Sequence, residues 1–225
     1  SILIPDSVIS IGNRAFYWCD SLKSVTIGNG VKSIGDCAFI NCTSLTSVVI
    51  TNSVKSIGDG AFEDCLVLTS ITIPASVTDI GIYAFYKCTS LSSVIIPDSV
   101  TSIGNSAFAG CTSLTSVVIP ESVTNIPWAA FSSCTSLQNI EVAATNEVYT
   151  SINGNLYTKN GQTLIQYATG KTDTQFTVPD GVTHIGNDAF FRCMSLTSVV
   201  IPDSVISIGN SAFETCTSLE SISIP

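Results

Sequence analysis

Apolar residues recur along this chain at a fixed step. Leu22, Leu45, Leu68, Leu91, Leu114 and Leu137 stand 23 residues apart, and the step resumes between Leu196 and Leu219. Phe16 to Phe131 and Cys19 to Cys134 keep the same interval, as do the later pairs Phe190/Phe213 and Cys193/Cys216. Aligned on the leucine, the unit reads L-x-x-V-x-I-P-x-S-V-x-x-I-G-x-x-A-F-x-x-C-x-x. A unit this short cannot bury its apolar face alone, so the units must stack on one another.

Within a unit the first segment alternates. In Leu114–Pro120, Val117 and Ile119 point one way, and Ser116 and Val118 the other. Period-two alternation rich in β-branched residues predicts a strand. Pro5, Pro74, Pro97, Pro120, Pro202 and Pro225 end that strand because proline cannot donate to a ladder. A second apolar pair such as Val100/Ile103 follows, then a glycine such as Gly104, expected at positive φ in a turn. The Ala107–Phe108 pair and Cys111 leave room for one helical or 3₁₀ turn on the return side. Stacked units would pair their first strands into a parallel sheet with a rise of about 4.8 Å per coil. Like residues would then form ladders through the interior.

One unit is interrupted. An insert from about Glu141 to Phe176 separates Leu137 from the next full repeat. Within it, Asn155–Thr158 and Thr163–Tyr167 flank Lys159-Asn160-Gly161-Gln162, and an Asn-Gly between alternating strands signals a β-hairpin. Ser151–Gly154 reads as another turn, and Thr174–Pro179 as re-entry into the repeat. The insert carries Tyr149, Tyr157 and Tyr167, half of the six tyrosines. These rings either pack across strands or offer stacking platforms to a ligand such as a carbohydrate.

Composition narrows the function. Of 225 residues, 45% are hydrophobic and 11% charged, which excludes a disordered chain. Serine, threonine, aspartate or glycine break every apolar run well short of the ~20 residues of a membrane span. The net charge is −9 and the eight Lys and Arg form no stripe, so nucleic acid is not an expected partner. Both ends lie in mid-repeat without a polar cap. We therefore expect a fragment of a longer array, with any export signal or anchor outside it and the exposed coil edges available for end-to-end self-association.

Candidate chemistry is sparse. The single His184 fills a slot held elsewhere by Ser10, Ser33, Ser56, Ser102 and Ser207, and one histidine supports neither a zinc site nor a His-based triad. Nine cysteines without a CxxC spacing give no metal site. In single file beside the phenylalanines they read as buried, reduced thiols, with Cys37 outside the file. No cofactor motif, phosphate loop or calcium loop appears, and no enzymatic activity is expected.

The unit in Ser90–Pro120 resembles the BspA-like leucine-rich repeats, and Asn146–Thr172 (NEVYTSINGNLYTKNGQTLIQYATGKT) resembles an element that recurs in those proteins. The resemblance covers the whole chain. It implies one domain over residues 1–225, an α/β-type right-handed solenoid with a parallel sheet on its concave face, short helical or 3₁₀ returns and the 141–176 hairpin insert. It also implies an extracellular or cell-surface location and an adhesive role toward a host matrix protein, another surface protein or a glycan. It supplies no catalytic residues.

On the expected open face of the sheet, Ser47, Ser70, Ser93 and Ser116 form one outward column. Val49, Thr72, Ile95, Val118 and Val200 form its neighbour. The aliphatic members of that second column make a stripe suited to protein contact, unless β-branched residues stand there only because strands favour them. Three readings follow: a protein-binding solenoid using this face with the insert as a rim, a carbohydrate-binding module using the insert tyrosines, and a spacer in a larger surface protein.

Overall fold

The computed structural model describes residues 1–224; Pro225, read above as a strand terminator, lies outside them. The polypeptide winds as a β-solenoid with two parallel ladders. The wide ladder is built from β1 (Ile2–Ile4), β3 (Ser24–Ile27), β5 (Ser47–Val49), β7 (Ser70–Thr72), β9 (Ser93–Ile95), β11 (Ser116–Ile119) and β12 (Asn139–Val142). Beyond the insert it continues as β16 (Gln175–Thr177), β18 (Ser198–Val200) and β20 (Ser221–Ser223). Every pairing within it is parallel and in repeat register, for example Ser24↔Ser47 and Thr72↔Ile95. The narrow ladder joins β2 (Ser10–Ile11), β4 (Ser33–Ile34), β6 (Ser56–Ile57), β8 (Asp79–Ile80) and β10 (Ser102–Ile103).

Inward residues form the expected files. The phenylalanines from Phe16 to Phe131 stack face to face at centroid separations of 4.9 to 5.6 Å, with planes within 8° of parallel. Burial of such a ring and contact with two ring neighbours both favour the stack. Phe85→Ala, in the middle of the file, is expected to cost about 3–5 kcal/mol in urea unfolding. A loss below about 1 kcal/mol would show that the file does not hold the coils together.

The return side differs from the expected helical turn. Among the described residues there is no helix of any kind. The chain instead runs through successive turns in which bonds within a coil alternate with bonds between coils. Ala38 N donates to Gly35 O and Ile40 N to Cys37 O, while Cys37 N, Phe39 N and Asn41 N donate to Asp59, Ala61 and Glu63 of the next coil. The residue just before each file cysteine is left-handed. Trp18, Asn41, Asp64, Lys87, Gly110, Ser133, Arg192 and Thr215 all have φ between 54° and 76°. A left-handed residue in every coil cannot propagate a helix, and it costs a non-glycine side chain about 1 kcal/mol.

The repeat glycines also play a different part from the one expected. Gly35, Gly58, Gly81 and Gly104 are not at positive φ. They are there because the coils touch. A Cβ on Gly104 would lie 2.4 Å from Gly81 C and Ile82 N, and one on Gly81 would lie 2.5 Å from Gly58 C.

The insert is a cross-layer rather than a rim. β13 (Tyr149–Ile152), β14 (Asn155–Thr158) and β15 (Thr163–Gln166) form an antiparallel meander, and β15 pairs in parallel with β17 (His184–Ile185), which pairs with β19 (Ser207–Ile208). The expected β14–β15 hairpin is present. The tightest turn, however, is Asn153-Gly154, with φ of 50° and 75°, a two-residue type I′ link between β13 and β14. Both faces of β14 and β15 are buried. Leu156 and Ile165 join the core of the first coils, while Tyr157 and Leu164 join the core of the last ones. The insert therefore divides one solenoid interior into two. Trp128 spans the junction: a Cβ on Gly186 would stand 2.1 Å from its Cζ3.

Candidate functional site

Alternation along the wide ladder places the predicted columns as the sequence suggests. In β5, β7 and β9 the middle residue is buried and its two neighbours are exposed. Ser47, Ser70, Ser93 and Ser116 are all exposed, and Thr72 stands among them. Val49 is 50% exposed, Ile95 72%, Val118 53% and Val200 45%, values far above those of a packed aliphatic side chain. Leu3, 72% exposed and in register with Thr26, extends the same column at its start. It was legible from its position before Pro5 but is not part of the predicted set.

The structure gathers only part of that set. Val49, Thr72, Ile95 and Val118 lie on successive coils. Val118 is in register with Glu141, whose carboxylate accepts a 2.7 Å bond from Asn139 Nδ2. The aliphatic stripe therefore ends on a charge at the insert. Val200 pairs with Thr177 beyond the insert and belongs to a separate patch.

The insert tyrosines are a correction. Tyr149, Tyr157 and Tyr167 are 7%, 0% and 1% exposed, so none offers a ring face to a glycan. Each fills a structural vacancy. Tyr167 stands in the file position of a phenylalanine: its N donates to Ala189 O as Phe39 N does to Ala61 O, and its ring stacks 5.2 Å from Phe190. Tyr149 substitutes for a missing strand. Ile103 N donates to Asn125 O of the next coil, whereas Ile126 N donates 2.8 Å to the Tyr149 hydroxyl. Tyr157 lies between the two halves, and burial raises its pKa to about 12.

The cysteine file is free and buried from Cys42 to Cys134. Each thiol donates to the phenylalanine carbonyl of the preceding coil, as Cys88 Sγ does to Phe62 O at 3.2 Å. His184 is exposed and in register with Ser207. Among the described residues no three His, Cys, Asp or Glu side chains converge as a metal ion requires, and no helix is long and apolar enough to cross a membrane.

A parallel solenoid with leucine, phenylalanine and cysteine files, 23-residue coils and an outward hydroxyl and aliphatic sheet defines a leucine-rich repeat protein. The chain belongs to the BspA type leucine rich repeat family, whose repeat region matches in six copies over residues 1–71, 56–172 and 165–225. A leucine-rich cell surface protein of Faecalibacterium prausnitzii is similar over 99% of this chain and 60% of its own, at 43% identity and a TM-score of 0.90. The pneumococcal vaccine antigen PcpA is similar over 97% of this chain and 56% of its own, at 26% identity and a TM-score of 0.88. A leucine-rich repeat protein of Bacteroides ovatus matches over 98% of this chain and 63% of its own, at 28% identity and a TM-score of 0.66. The chain thus spans less than two thirds of the length of these relatives. No curated protein matches it significantly.

Proposed function

We propose that the chain is a non-catalytic, extracellular or cell-surface module that binds another protein through the outward face of its wide ladder. The observation that carries this reading is the Val49–Ile95–Val118 stripe, three aliphatic side chains at least half exposed on a rigid sheet and flanked by serine and threonine hydroxyls. Exposed aliphatic area of this kind is costly to hydrate and gains from burial against a partner, while the hydroxyls supply rim hydrogen bonds. The family, together with a cell surface protein and a vaccine antigen among its similar structures, supports a surface location.

The test is label-free binding of the chain to a panel of matrix and surface proteins. The Val49→Asp/Ile95→Asp/Val118→Asp variant should lose at least about a hundredfold in affinity for any protein bound. Its circular dichroism should be unchanged, because the substituted side chains face solvent. Undiminished binding by the variant removes this face from the function. A folded chain that binds no protein on the panel favours the spacer reading.

A further inference from the structure

The side of the solenoid opposite this sheet carries a different chemistry. The residues flanking the Ala-Phe pair change identity from coil to coil, while the pair itself and the cysteine after it hardly change. On that turn face, Lys87 and Arg192, 105 positions apart in sequence, line one cleft of about 210 Å³. No carboxylate is among its walls, although the chain carries 17 acidic residues against eight Lys and Arg. Both cations occupy the left-handed position, at φ of 54° and 61°, where asparagine or glycine would be unstrained.

The cleft exists because of what lies between them. Gly110 and Ser133 fill the corresponding positions on two of the three intervening layers, the third being the Tyr167–Thr169 turn of the insert, and form a low floor. The stem of Lys87 overhangs it, with Cγ 3.1 Å from where a Gly110 Cβ would be. Arg192 comes from the far side of the insert. In the insert, Thr169 turns inward and bonds Cys134 O at 2.7 Å, so no outward side chain separates Ser133 from Arg192. Tyr86 forms a wall, with Lys87 Nζ 5.0 Å from its ring centroid and Tyr83 edge-on behind it at 5.3 Å. Glu63, one coil back, does not line the cleft.

The remaining groups specify the ligand. Thr89 Oγ1 and Thr112 Oγ1 already donate to Leu66 O and Thr89 O of the coils before them. Their free lone pairs can only accept. The walls thus offer hydroxyls that accept from O–H donors, with Tyr86 and Ser133 able to donate as well, and a cation at each end for an oxyanion. A ligand rich in hydroxyls that also carries negative charge matches both, which is the chemistry of an acidic sugar. We propose that the cleft between Lys87 and Arg192 binds a carbohydrate bearing a carboxylate or sulfate group.

Calorimetric titration of the 225-residue chain with 3′-sialyllactose, glucose 6-sulfate and lactose tests this and separates the two oxyanions. The expected result is saturable binding of at least one charged sugar and none of lactose. Lys87→Asn and Arg192→Asn should each weaken binding about tenfold or more, because each removes one charge-assisted contact. Asparagine suits the left-handed backbone, so the thermal midpoints of both variants should hold or rise. Lys32→Asn/Lys55→Asn, away from the cleft, should bind as the parent does. The proposal is overturned if neither charged sugar binds at ~10 mM, about tenfold above the Kd of a ~1 mM site. It is equally overturned if lactose binds as well, if both cleft variants bind normally, or if the Lys32/Lys55 variant loses as much. Equal binding of hexaglutamate would transfer the cleft to acidic peptides.

Discussion

Gly104→Ala is expected to destabilise the solenoid by about 3 kcal/mol or more, at or beyond the upper end of ordinary overpacking. The new Cβ would sit 2.4 Å from two backbone atoms of the preceding coil, and backbone tied into two ladders cannot step aside as a flexible side chain would. Gly12→Ala occupies the same place in the unit, yet nothing lies within 4 Å of its Cβ position and its φ is not positive. That variant should be neutral or gain up to about 1 kcal/mol from the reduced entropy of the unfolded chain. Urea unfolding of the pair isolates contact between coils from intrinsic glycine propensity. Equal effects at the two sites would mean that the glycines serve the turn and not the stack.

That contrast shows where sequence reading stopped. The step of 23, the strand alternation and the inward files were legible because burial imposes them on every unit at once, and Val48, Val94 and Val117 lie inside as their positions require. The outward columns followed from the same alternation. The return path was not legible. Lys87 and Arg192 carry no glycine or asparagine signal, so their left-handed backbone is imposed by bonds between coils, Lys87 N to Ala109 O and Arg192 N to Glu214 O, and not by local preference.

The insert was half legible. Asn160-Gly161 marked the hairpin, but β13 and the burial of both faces were missed. A usable signal existed: Asn155-Leu156-Tyr157 and Leu164-Ile165-Gln166-Tyr167 are runs without outward polar alternation, the mark of a strand covered on both sides. Because the insert closes one core and opens another, it also breaks the aliphatic stripe at Glu141 and brings Arg192 to Ser133 on the opposite side. One interruption thus shapes both candidate binding faces.

The cysteine file makes the fold sensitive to alkali. Burial raises the Cys42 thiol to about 11 and the Cys134 thiol to about 12, and it raises Cys65, Cys88, Cys111 and Cys193 as well. An unfolded cysteine titrates near 8.5. A raised folded pKa contributes stability that is complete below the unfolded value and is lost as pH climbs toward the folded one, because only the unfolded chain then releases its protons. Each thiol therefore removes roughly 1 kcal/mol per pH unit above about pH 9, and the six together roughly 6 kcal/mol per unit. Against a total stability of about 5–15 kcal/mol, the array should unfold within one to three pH units. Cys216 runs the other way, since the Cys193 thiol bonds it and lowers it to about 7, but it is one group acting between about pH 7 and 8.5. Urea unfolding under reductant from pH 7 to 10.5 should show a plateau and then a steep decline, and Cys88→Ala/Cys111→Ala should flatten the decline by about a third of its slope. A parent chain whose stability stays level to pH 10.5 would show that these thiols are not held neutral by burial, and the file would then have to be reached by water.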